Sequence, residues 1–364
     1  HWETTLAEAE TLDAQPELVA NFNHFQRYST SATELSWAVL RRSGQLVAAA
    51  PVVRLRRRSV TDLLQTAWRR RLGWLAPVLR KTTLLVDTAF LAFDPASPFL
   101  VAPEEDRRTA KQTIADFLCR QKKVDTVWIA EPPAEATWAA GGKFDQFHTL
   151  PMVAIDLAGS DSFDAYLATL SKKRRRNYRH ESEAFAAVGA TIEVVEGPLA
   201  ARPELLAALV DCLRASEARS DLSVPFNDVL ISPQAFAAQP QTALVARVGD
   251  RAVGFMSFLQ AGDRWMQVHG GLDYGLSLEA YAYHNLIYAA VREAIARGCR
   301  AVTMGPLNNE TKRRAGTDLS PIVASVWNRF PVDRIVARGW LFPRLAIYQG
   351  PLSDGSTAAA PRGV

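Results

Sequence analysis

Apolar positions along the chain recur with two periods. Over 35–40 and 45–54 they alternate or run unbroken on either side of the turn Arg42-Ser43-Gly44. This predicts a β-hairpin after a helix-compatible opening that reaches Tyr28. Over 60–81 the residues Leu63, Leu64, Trp68, Leu72, Trp74 and Leu75 fall at helical steps among arginines, predicting an amphipathic helix or helix pair. The stretch 84–93 reads as a strand, 107–121 as a helix and 125–130 as a short strand before Pro132-Pro133.

A second run of elements begins near Thr149. A strand over 153–157 leads to a helix capped by Ser160 or Ser162, whose apolar face is Phe163, Leu167 and Leu170. After Ser171 that face carries Arg175, Tyr178, Ser182 and Phe185, so it is expected to be only partly buried. A strand over 191–195, a helix over 204–218 and a short helical piece over 234–238 precede a meander of three strands over 242–248, 252–259 and 265–270. The meander turns at Gly249-Asp250 and Gly262-Asp263. A loop from Gly271 to Ser277 feeds a helix over 278–297 that Gly298 closes as a C-cap, and strands over 300–304 and 323–329 follow. Three strands, loop, helix and strand in that order suit a sheet that opens beside a helix N-terminus, where backbone N–H groups and the helix dipole favour a pyrophosphate or a carboxylate.

The pattern is that of an α/β (α+β) protein with two units. We expect an N-terminal domain over 1–148, a second over 149–352 and a disordered, small-residue tail over 353–364. Apolar residues make up 48% of the 364 and charged residues 22%, which excludes a fibrous or disordered chain. No run of about twenty apolar residues and no cleavable leader is present, so neither a membrane span nor secretion is expected. The chain begins at His1 and reads as trimmed at its start. Cys119, Cys212 and Cys299 are widely spaced and give no disulfide or zinc pattern, and a reducing, cytoplasmic setting fits them. The net charge of +4 conceals three basic clusters: Arg54 with Arg56 to Arg58, Arg69 to Arg71, and Lys172 to Arg176 with Arg179. Each suits a phosphate or a solvated face.

Several blocks resemble GNAT-type acyltransferases of the FemABX-like, tandem group. The turn Val248-Gly249-Asp250-Arg251 with Val253-Gly254-Phe255 looks like the central GNAT hairpin. Tyr281, His284, Leu286 and Ile287, the run from Leu170 to Asn177, and Gly305-Pro306 with Glu310, Lys312, Arg313 and Gly316 are similar to the group's later segments. The resemblance covers 161–316. It implies two GNAT-like units, each a mixed, mainly antiparallel sheet flanked by helices, with the first unit degenerate. It also implies transfer of an acyl group from an activated donor, acyl-CoA or a similar species, to an amine of a small molecule or amino acid. Aminoacyl-tRNA and a carrier protein are the other donors implied, with the donor a co-substrate rather than a permanently bound cofactor. The loop Gly271 to Ser277 departs from the glycine-rich pyrophosphate pattern of ordinary GNAT enzymes.

Acyl transfer to an amine needs a proton acceptor, a polarised carbonyl and alignment, and it needs no covalent enzyme intermediate. His269, expected to share a strand face with Trp265 and Gln267, is the first candidate base, with Glu310 the second and Tyr274 a candidate acid. Lys172, Arg175, Arg176, Gly275 and Ser277 are candidates for holding the donor. Trp265, Gln267, Tyr281, Asn285, Tyr288 and the anion anchor Lys312 are candidates for holding the acceptor, while His284 falls nearer the apolar stripe and reads as structural. The competing reading is a non-catalytic RNA- or membrane-surface-binding protein. Its support is the interleaved tryptophan and arginine from Arg54 to Lys81.

Overall fold

The computed structural model describes residues 12, 16–59, 64–77, 79–87, 97–140, 142–219, 229, 232–275, 281–305, 312, 316–345 and 350–351. Ser277, Glu310, the first residues of the expected 278–297 helix and the 353–364 tail lie outside them.

Helix α1 (Pro16–Gln26) precedes the hairpin β1 (Thr33–Arg42) and β2 (Gln45–Ser59). The expected helix over 60–81 is much shorter: α2 spans Thr66–Leu72, and Arg80 already opens β3 (Arg80–Asp87). Pairing decides this, since Arg80 and Lys81 sit opposite Ser59 and Arg58. There follow β4 (Leu100–Val101), α3 (Arg107–Cys119), β5 (Thr126–Glu131) and β6 (Asp145–Asp156). The helical run after β6 breaks at Leu170. Ser162 caps α4 (Phe163–Thr169), and Ser171 caps α5 (Lys172–Ala187) by accepting the Arg174 N–H, each cap worth about 1 kcal/mol.

Strand β7 (Ala190–Glu196), α6 (Pro203–Arg219) and α7 (Pro233–Ala238) lead to the meander β8 (Thr242–Val248), β9 (Arg251–Ala261) and β10 (Arg264–Leu272). Gly249 and Gly262 turn it at φ values of 57° and 54°, a region that only glycine enters without strain. Helix α8 (Ala282–Ala296) ends where Gly298, at φ 70°, donates to Ile295 and Cys299 donates to Ala294, the Schellman closure. Then come β11 (Ala301–Met304), β12 (Asp318–Asn328), α9 (Pro331–Val336) and β13 (Gly350–Pro351).

The thirteen strands of the described residues form one sheet in the order β1-β2-β3-β5-β12-β6-β11-β10-β9-β8-β7, with β4 on β2 and β13 on β6. Each half repeats three antiparallel strands, a helix and a parallel strand: β1-β2-β3-α3-β5, then β8-β9-β10-α8-β11. The next strand of each half is exchanged. β12 pairs with β5, and β6 pairs with β11 and β12, so the position 148/149 falls inside a continuous strand. The largest core lies between the second half of the sheet and α4, α5 and α8, built on Phe258, Trp265, Leu286, Ile287 and Val302. Among the described residues no helix is long and apolar enough to cross a membrane.

Candidate active site

The sheet opens between β10 and β11. Parallel pairing covers Arg264↔Ala301, Trp265↔Val302 and Met266↔Thr303 and then stops, whereas β10 continues to Leu272. Past Met266, β10 is paired through β9 alone among the described residues, leaving backbone polar groups along the other edge. Gln267 is the first residue beyond the last pair. Its amide nitrogen donates to the His269 carbonyl at 3.4 Å, while its buried Oε1 has no partner among the described residues.

A β-bulge between Gln267 and His269 corrects the expectation that both share a face with Trp265. The extra residue reverses the alternation. Trp265 and Gln267 point towards α8, but the His269 ring is buried on the opposite side, 4.9 Å from Phe236 and 6.0 Å from Phe25, with Ser257 Oγ 3.5 Å from Nδ1. The His269 ring is thus set between α1 and α7, on the face of the sheet opposite α8. Trp265 is a core residue at 1% exposure, stacked on Phe258 and covered by the Arg297 guanidinium.

Helix α8 begins next to the far end of β10, where Leu286 and Leu272 meet over Gly254. Tyr281, its N-cap residue, is left-handed at φ 51° and caps no first-turn N–H with its side chain. The stripe Tyr281, Asn285, Tyr288 and Arg292 exists as the periodicity predicts, but α5 covers it, so these residues join two helices instead of lining an open pocket. Asn285 donates to the Glu181 carbonyl at 3.0 Å and accepts from Ser182, the Tyr178 hydroxyl accepts from Arg292 at 2.6 Å, and the Tyr281 hydroxyl lies 3.5 Å from His180 Nε2.

At the centre of this contact stands Glu181, which the sequence reading missed. Its carboxylate is buried, accepts the Tyr288 hydroxyl at 2.8 Å and lies 4.0 Å from His284 Nε2. Burial, together with that carboxylate, pushes the Tyr288 phenol well above its ordinary range, so the hydroxyl stays a donor. Glu181 of α5 thus faces His284 in the first turn of α8. The available signal was the spacing Tyr178, Glu181, Phe185, which puts an acid on the inward face of α5.

The basic cluster divides. Arg175 donates to Ala168 and Leu170, closing the C-terminus of α4, and is a structural group; Lys172 and Arg176 are exposed. Arg174 instead lies beside Tyr166 and Gly316, at whose φ of 89° an added Cβ would sit 2.5 Å from Leu170. Tyr274 packs under the Arg219 guanidinium, and Gly275 donates to Asp273 at an exposed turn. Lys312 is buried, not a surface anion anchor. Its ammonium donates to the Gly305 carbonyl at the end of β11, and burial pushes its pKa down to about 7.

Residues 172–313, which hold α5, the meander, α8 and β11, match the family model of the acetyltransferase (GNAT) domain. GNAT likeness thus falls on this segment of the chain. The chain is accordingly an acyltransferase, and the opening between β10 and β11 lies within its GNAT domain. Among solved structures it is similar to FemX (10% identity, TM-score 0.53, covering 88% of this chain and 98% of that one). It is also similar to L-PGS from Bacillus licheniformis (12%, 0.52, 93% and 97%) and to a tandem GNAT protein from the clavulanic acid biosynthesis pathway (15%, 0.50, 90% and 96%). At these identities the likeness is one of fold. A comparison with curated proteins finds no match.

Proposed function

We propose that this acyltransferase moves an acyl group from acyl-CoA, or a donor with a similar amide-bearing arm, to the amine of a small molecule or amino acid. The observation that supports this reading is the interrupted β10–β11 pairing. An unpaired strand edge in a cleft can take an extended, amide-containing arm as though it were one more strand. The acyl carbonyl of such a donor lies near Gln267, and its anionic end lies at the first turn of α8, where free N–H groups and the helix dipole favour negative charge.

The chemistry is a direct attack. The acceptor amine loses a proton, its lone pair adds to the acyl carbon, and the donor's leaving group departs, so no enzyme nucleophile is needed. We set His269 aside as the proton acceptor because aromatic rings enclose it. Native mass spectrometry with acetyl-CoA, longer acyl-CoAs and charged tRNA tests the donor. One acyl-CoA per chain is expected, and binding of charged tRNA alone would replace this reading with aminoacyl transfer.

A further inference from the structure

One end of the sheet in the first half carries positive charge and exposed apolar tips together. β2 ends there, β3 and β5 begin there and β12 ends there. Arg57, Arg70, Arg71, Arg80, Lys122 and Lys123 are exposed at this end and form no ion pair among the described residues. Of the nearby acids, Asp333 is engaged by Lys81 at 2.5 Å, Asp145 by Arg334 at 2.9 Å and Arg338 at 3.3 Å, and Glu34 by Arg56 at 2.5 Å, while Asp125 accepts the Thr82 N–H at 2.8 Å. The net field of the surface is therefore cationic.

Trp74 at 75% and Ile335 at 72% are the most exposed large apolar residues in the described structure, and Phe330 is half exposed. All three belong to this end. α2 packs through Trp68 and Leu72 on the segment after α9. The Lys81–Asp333 pair ties β3 to α9, and Arg329 donates to the carbonyls of Gln121 and Val124, fixing the Lys122–Lys123 turn beside Phe330.

We propose that this end docks on an anionic lipid surface. Cations beside aromatic and aliphatic tips match a bilayer interface, where the charge meets headgroups and the tips enter the acyl boundary. Nucleic acid would use the arginines and Trp74, but it offers nothing to Ile335 or Phe330. Strand directions add a functional reason: β10 and β11 end at the same edge of the sheet where β3 and β5 begin, so the GNAT opening and the basic end share that edge. The inference does not depend on the donor.

Co-sedimentation with phosphatidylcholine vesicles, with and without phosphatidylglycerol, tests it. The intact protein should pellet with the anionic vesicles and be released by high salt. Trp74→Ser/Ile335→Ser and Arg70→Glu/Arg71→Glu should each weaken binding about tenfold or more. These side chains are exposed, so an unchanged melting temperature will show that the fold persists. Failure of the intact protein to bind, binding unaffected by either variant, or binding to tRNA but not to vesicles would overturn the proposal.

Discussion

The parallel pairs β3–β5 and β10–β11 occupy the same place in two repeats of one topology, yet they end differently. In the first half five residue pairs run from Thr83↔Thr126 to Asp87↔Ala130, so the strands stay zipped to the end of β3. Lys111 of α3 is sealed beside them. Its ammonium lies 2.6 Å from both Glu131 and Glu135, and Trp138 donates to Glu131 at 2.9 Å. In the GNAT domain pairing stops after three residue pairs, and the buried acid, Glu181, comes from α5 to meet His284 instead of closing an ion pair. Connectivity alone therefore does not make a site. What differs is whether the end of the strand pair is filled by a closed ion pair or left open beside polar groups with unmet capacity.

The sharpest way to break this comparison is to separate the halves. A cut at 148/149 divides β6 and removes β12 from β5, so fragments 1–148 and 149–352 should each fail to fold, as read by circular dichroism. The next largest effect is Lys111→Met, which leaves the buried Glu131 carboxylate without its cation. It should cost about 3–5 kcal/mol in denaturant unfolding, and Lys111→Met/Glu131→Gln should recover part of the loss. In the open half Glu181→Leu should leave the buried Tyr288 hydroxyl without its acceptor. We expect a loss of about 1–3 kcal/mol in denaturant unfolding. Gln267→Ala should weaken donor binding about tenfold with little change in melting temperature.

A further effect concerns pH. The Lys312 pKa falls from the ordinary 10.5 to about 7 on folding. Between these values the unfolded chain binds the proton and the folded chain does not, so this group makes stability rise with pH across that window. Lys312→Met should lack the rise. Paired denaturation curves at pH 7 and pH 10 measure the difference.

What was legible in the sequence was local. The meander, its glycine turns and the Gly298 cap follow from neighbouring residues, and the strand over 242–248 is observed with those bounds. What was not legible depended on partners far along the chain. The bulge that turns His269 away is a property of the β9–β10 register, the pairing of Arg80 and Lys81 with β2 shortened the expected helix, and nothing local announces the exchange of β6 and β12. Glu181 looked like a solvated helix charge because its partners, Tyr288 and His284, lie more than a hundred residues away. The candidate site was therefore half read. Gln267 lies at the opening, whereas the Trp265 and His269 side chains pack on opposite faces of the sheet.

The most direct test of the central claim is amide hydrogen exchange with and without a saturating donor. New protection on β10 from Gln267 to Leu272 and in the first turn of α8, with none in β3 or β5, is the predicted result. Donor-dependent protection at the β3–β5 end, or none on β10, would contradict the account.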